Sequence, residues 1–236
     1  MKALERSGGR VLLIGNSRWH WAALAPDQSL QLWHTSAAAG IEQLQQAPVA
    51  WAAVGPVPTE LERWQPQRLL TADVPLANLP PALGVDRALA AWGAWQQQRQ
   101  PVLVADAGTA LSLTLVDAAG CFLGGRLMAG GRLQLQALHQ GTADLPTLKH
   151  LETADPIWAT HTVEAMASGV ARGLAAAIAL AFHDRPQPQW PWQLWLTGGD
   201  APVLMPLLQD QGLQPHHDEG LALAALVALS RPAQGP

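Results

Sequence analysis

The sequence predicts an α/β protein made of two related halves facing a cleft. A strand, glycine turn, strand, turn, strand pattern occurs twice, with Gly15 and Gly108 in matching places. Helical patterns follow each copy, as expected of duplicated α/β units. The chain has 236 residues, 49% of them hydrophobic, which exceeds one domain of ~150 residues and suits two packed halves. The expected division is 1–101 and 102–236.

In the first half, Arg10–Ile14 is a short β-type run ending in the turn pair Gly15-Asn16. Along Ser17–Leu24, Trp19 and Trp21 share one face while Arg18 and His20 take the other, the period-2 alternation of a strand. Leu30–His34 completes an antiparallel meander. A helix is expected at Ile41–Gln46, a buried strand at Val49–Val54 before Gly55-Pro56, and a short helix at Thr59–Trp64. Ala72–Pro81 is proline-rich and extended, and Asp86–Gln100 reads as a helix stopped by Pro101.

The second half restarts at Val102–Ala105, turns at Asp106-Ala107-Gly108-Thr109, and alternates along Ala110–Val116. Cys121–Met128 is its third strand, with helices at Gly131–Gln140 and Thr162–Phe182. A strand at Gln193–Leu196 runs into Thr197-Gly198-Gly199. Helices at Ala201–Gln209, with an interruption at Pro206, and at Glu219–Leu229 follow, and His216-His217-Asp218 reads as a polar loop.

Composition excludes several classes. Lys2 and Lys149 are the only lysines and neither follows a glycine, so a lysine-based phosphate loop is impossible. A net charge of −4 gives no case for nucleic acid or an anionic membrane. The charges at Lys2, Glu5, Arg6 and Arg10 leave no secretory pattern. Val170–Phe182 and Leu221–Leu229 are shorter than the ~18 residues of a spanning helix. Cys121 is the single cysteine, which leaves no internal disulfide. The reading is a soluble, cytoplasmic protein.

Glycine hairpin turns present backbone N–H groups that hold phosphate oxygens without a lysine. Asp106, at the end of its strand, can hold a cation beside them, because carboxylate and phosphate oxygens are what Mg²⁺ favours. Gly198 and Gly199 lack Cβ atoms, so a flat ligand such as adenine can lie against the backbone.

Asp106-Ala-Gly-Thr-Ala110, Gly124-Gly125, Gly130, Thr142-Ala-Asp-Leu-Pro146, Gly84-Val-Asp-Arg87 and Thr197-Gly-Gly-Asp-Ala201 together resemble the signatures of the type III pantothenate kinases. That family belongs to the acetate kinase, sugar kinase, Hsp70 and actin superfamily, and the resemblance covers about Val11 to Leu229. It implies a duplicated RNase H-like (actin-like ATPase) fold with a nucleotide cleft, and a homodimer. It also implies phosphorylation of pantothenate by ATP, the first step toward coenzyme A, with Mg²⁺ or another divalent metal and a K⁺ or NH₄⁺ requirement.

By this resemblance Asp86 is the catalytic base. Gly84, Val85, Asp86, Arg87, Thr142 and Thr162 bind substrate. Gly15, Asn16, Ser17, Gly108, Thr109, Gly198 and Gly199 bind nucleotide, and Asp106 serves a divalent or a monovalent cation. An ordinary carboxylate is ionised at pH 7 and can accept the hydroxyl proton, and the planar guanidinium of Arg87 can orient the substrate. The first phosphate motif departs from the family: Leu13 stands opposite Asp106 where an acid is expected, and leucine neutralises nothing. Ala129 replaces a proline and Thr114 a second acid. Three readings stay open: a pantothenate kinase, another small-molecule kinase of the superfamily, and a non-catalytic nucleotide- or pantothenate-binding paralogue with a regulatory role.

Overall fold

The computed structural model describes residues 9–152 and 157–230, so the charges at Lys2, Glu5 and Arg6 lie outside the described residues. The chain forms two compact units, Met1–Gln97 with Gly220–Pro236, and Gln98–Glu219. The C-terminal helix therefore groups with the first unit, whereas a single cut at 101/102 assigns it to the second.

In the first unit β1 (Val11–Ile14), β2 (Trp19–Leu24), β3 (Leu30–Thr35) and β4 (Ala50–Ala53) form a sheet of order β3-β2-β1-β4. β4 runs parallel to β1, and the β1–β2 and β2–β3 pairs are antiparallel. Strand alternation sends Leu12, Ile14, Trp19 and Trp21 into one cluster with Trp51 and Leu61. The row Leu13, His20, His34 runs across the sheet in register. Trp21 and Trp51 are fully buried, with their indole N–H groups donating to Thr35 Oγ1 at 3.1 Å and to the Trp64 carbonyl at 2.7 Å. Those bonds remove the penalty of burying a lone donor.

Helix α1 (Ala37–Gln43) starts earlier than expected because the Ser36 hydroxyl accepts from the Ala39 amide at 3.3 Å and caps it. A 3-10 stretch at Thr59–Gln67 leads to a single parallel bridge between Trp51 and Arg68. Helix α2 (Val85–Gln98) buries Ala88, Leu89, Ala91, Trp92 and Trp95, so both tryptophans are core residues.

In the second unit β5 (Val102–Ala107), β6 (Ala110–Val116), β7 (Phe122–Ala129), β8 (Gln193–Thr197) and β9 (His216–His217) form a sheet of order β7-β6-β5-β8-β9. His216 and His217 are thus not a loop: they pair in parallel with Trp195 and Leu196, and His216 stacks on the Trp195 ring with centroids 4.8 Å apart. The first four strands repeat the order and directions of the first sheet. Helices α3 (Gly131–Gln140), α4 (Thr162–His183) and α5 (Ala201–Asp210) pack on it, and α5 continues across Pro206. The C-terminal helix α6 (Leu221–Ser230) packs on β1, β2 and β4.

At 22 residues, α4 is long and apolar enough by composition to cross a membrane, which the length of its apolar run alone did not suggest. Met166, Val170, Leu174 and Ile178, four residues apart, instead lie in the core of the second unit. This is the stripe of a helix packed on one face.

Candidate functional site

In the second unit three glycine-bearing segments meet at the β5–β6 turn. Gly198 has φ of +92°, and a Cβ there would stand 2.5 Å from the Ala107 carbonyl oxygen and 2.6 Å from Asp106 Oδ1. Only glycine fits without displacing one of them. A side chain at Gly130 would run into the Gly108 carbonyl, and the Gly130 amide donates to the Thr109 carbonyl at 3.1 Å. Asp200 ties the group together: its amide donates to the Ala107 carbonyl at 2.9 Å, and its Oδ2 accepts from the Gly131 amide at 3.2 Å. Asp106, Gly108, Thr109, Gly198 and the neighbouring Gly199 are therefore brought together in one region.

The two turn glycines do not offer their own amides outward. Gly15 N–H donates to the Arg18 carbonyl at 3.0 Å, and Gly108 N–H to the Ala110 carbonyl at 3.1 Å. These bonds close the hairpins, so the Gly15 and Gly108 amides are already engaged. Asp200 was not among the expected site residues. Its signal was present, since it is an acid following paired glycines at a helix start. Its carboxylate makes no capping bond to α5, whereas the usual acidic N-cap bonds its own helix.

In the first unit Gly55 lies so close to the Gly15 carbonyl that a side chain would collide with it. Leu13 is buried at the end of β1, opposite His20. At the start of α2, the Gly84 carbonyl accepts from the Ala88 amide at 3.2 Å. A Cβ on Gly84 would stand 2.5 Å from Asp86 Oδ1, which itself accepts from the Arg87 amide at 2.7 Å.

Burial pushes the Asp86 carboxyl above its ordinary value, against the lowering effect of the Arg87 amide and guanidinium. A raised carboxyl is what a base working near neutrality needs. A cavity of about 230 Å³ beside it is lined by Val54, Thr71, Leu83, Gly84 and Val85 among others.

Thr142 and Thr162 are both exposed in the second unit. Thr142 donates its hydroxyl to the Leu138 carbonyl at 2.8 Å at the end of α3, and Thr162 opens α4. His20 was also absent from the expected site. β2 alternation placed it on the face of Leu13, but cross-strand register was needed to pair the two.

Among the described residues no group of three or more His, Cys, Asp or Glu side chains could hold a metal. Mg²⁺ takes one or two carboxylates and completes its shell with phosphates and water, so the single carboxylate of Asp106 near the end of β5 would suffice to hold it beside bound phosphates.

Residues 65–184 match the model of the type III pantothenate kinase family. The type III pantothenate kinase of Synechococcus elongatus is 41% identical over 85% of this chain and 87% of its own length. That of Synechocystis sp. is 35% identical over 92% and 88%. Among solved structures, the activator of 2-hydroxyisocaproyl-CoA dehydratase from Clostridium difficile with bound ADPNP superposes with a TM-score of 0.53 at 10% identity. It covers 95% of this chain and 93% of that one. At such low identity this likeness shows the fold, the duplicated RNase H-like architecture of the actin-like ATPases. The chain belongs to the type III pantothenate kinase family.

Proposed function

We infer that this protein transfers the γ-phosphoryl group of ATP to the primary hydroxyl of pantothenate, giving 4'-phosphopantothenate and ADP. Family membership supports the reaction. The observation that carries the mechanism is the partly buried Asp86 carboxylate at the start of α2, with its raised affinity for a proton. Phosphoryl transfer needs positioning and charge neutralisation more than covalent chemistry. Asp86 accepts the hydroxyl proton as the oxygen attacks the γ-phosphorus and the bond to ADP breaks.

Arg87 orients the substrate, with Gly84 and Val85 at the mouth of the adjoining cavity. Among its mixed polar and apolar lining, Val54 and Leu83 are candidate contacts for the branched dimethyl part of pantothenate. Thr142 and Thr162 are further candidates for substrate contact, supported by family membership alone. The Gly15-Asn16-Ser17 and Gly108-Thr109 turns hold phosphates, and Gly198-Gly199 lies against the adenine. A divalent ion at Asp106 neutralises phosphate charge when bound. The same carboxylate is the candidate for K⁺ or NH₄⁺, so its two possible ions are separated by activity with and without K⁺.

The enzyme acts as a cytoplasmic homodimer. Leu127 is 65% exposed and Trp158 88% exposed in the second unit, and both are candidate contacts for such an association. The test of the function is ATP consumption with pantothenate against sugars and other hydroxy acids. A second reading, a nucleotide- or pantothenate-binding regulator without turnover, is favoured by Leu13. It predicts thermal stabilisation by ligands and no product.

A further inference from the structure

The first hairpin lacks its acid but is not without a polar side chain. Leu13 pairs with His20, and His20 pairs with His34, so the three occupy one row on one face of the sheet. His20 Nδ1 and His34 Nδ1 are 3.0 Å apart, and their rings meet edge to face with centroids 4.7 Å apart. Two imidazoles at this spacing share one proton, and the bond fixes the orientation of both rings.

The other nitrogen of His20 points to the turn. A Cβ on Gly15 would stand 3.2 Å from His20 Nε2 and 3.4 Å from its Cδ2, so the ring edge lies against the β1–β2 turn. The matching row of the second unit runs from Asp106 to Ser112. The first hairpin thus has Leu13 where that row has an acid, and His20 where it has a serine.

We propose that His20 is a phosphate-binding residue, donating from Nε2 to a phosphate oxygen of the nucleotide held at the Gly15-Asn16-Ser17 turn, and that His34 is its positioning residue. This rests on the reading that the first hairpin binds nucleotide phosphates. When His34 donates from Nδ1 to His20 Nδ1, the His20 proton resides on Nε2 and faces the turn. Without an acid at position 13, no carboxylate competes for that donor. Hydrogen bonds to charged oxygens are stronger than neutral ones.

The test is calorimetric titration of the full chain with ADP and with adenosine, in the absence of divalent cation. His20→Leu is expected to weaken ADP about tenfold, the size of one hydrogen bond to a charged group, and to leave adenosine unchanged. His20→Gln, whose Nε2 reaches a similar point and can donate, is expected to restore ADP binding to within about threefold. His34→Ala is expected to weaken ADP by about threefold and adenosine not at all.

On the wild-type protein, histidine side-chain ¹⁵N NMR should show His20 Nε2 shifting on addition of ADP and not of adenosine. Equal losses for ADP and adenosine, an ADP effect seen only with Mg²⁺, or an unmoved Nε2 signal would each overturn the assignment. Absence of ADP binding by the wild-type protein would overturn the underlying nucleotide reading as well.

Discussion

The carboxylate of Asp106 lies 2.6 Å from the point where a Cβ on Gly198 would stand. The end of β5 and the turn after β8 therefore approach so closely that position 198 admits no side chain. The positive φ of Gly198 adds a second, independent reason for glycine there. Gly198→Ala is expected to destabilise the protein by about 1–3 kcal/mol. It should also displace Asp106 and weaken Mg²⁺-nucleotide binding more than pantothenate binding, as calorimetry would show.

Gly130 and Gly55 are similarly crowded by backbone, but the helical glycine Gly173 carries no such constraint. Gly173 lies within α4, is exposed, and would meet nothing within 4 Å. Gly173→Ala is expected to leave nucleotide binding unchanged and to raise stability by up to about 1 kcal/mol, the helix-propensity difference between the two residues. Chemical denaturation of both alanine variants separates the two kinds of position.

Asp86 links activity to pH. Its folded-state carboxyl is raised by burial, so the ionised form is held at a cost to the fold. The linked stability is present below the ordinary carboxyl value near ~3.9 and is lost as pH rises through the raised folded value. Asp86→Asn removes that loss. The variant is expected to melt at a slightly higher temperature at pH 7, with the difference vanishing in acid. The acid limb of the wild-type kcat profile should fall at an apparent pKa above the ordinary carboxyl value.

Leu13→Asp restores an acid to the first hairpin at a buried position facing His20. Burying a carboxylate costs stability, about 1–3 kcal/mol where hydrogen bonding is incomplete. The ordinary His20 imidazole is already depressed to about 4, first by burial and then by the charges of His34 and Arg18. A new carboxylate opposite it would raise that value, visible by NMR titration. The Mg²⁺ dependence of activity is expected to tighten, and an unchanged dependence would mean that the hairpin has compensated for its missing acid.

Much of this was legible in the residues. Ala110–Val116 and Leu30–Thr35 alternate cleanly and form strands close to their expected bounds. The glycines at 108, 130 and 198 stood in recognisable motifs, and they converge. Two features were hidden because they depend on contacts distant in sequence. His216 and His217 are polar and exposed, without the alternation of a strand, and become one only by pairing beside Trp195. The C-terminal helix has no local signal for which unit it covers, and that is settled by packing on β1, β2 and β4.

The arginine- and tryptophan-rich composition also gains a physical sense. Arg10 lies over Trp21, Arg63 over Trp64 and Arg68 over Trp51, at 5.2, 4.3 and 5.0 Å from the ring centroids. A planar guanidinium stacks on an indole where an ammonium would not cover it.

The central claim is that this chain phosphorylates pantothenate with Asp86 as the base, and one coupled assay tests it most directly. ATP consumption is measured for the wild-type protein and for Asp86→Asn, with pantothenate and with a panel of sugars. Turnover with pantothenate alone, lowered about 10²–10⁴-fold in the variant, is the expected result. Turnover with a sugar but not pantothenate, or full activity of Asp86→Asn, would contradict it.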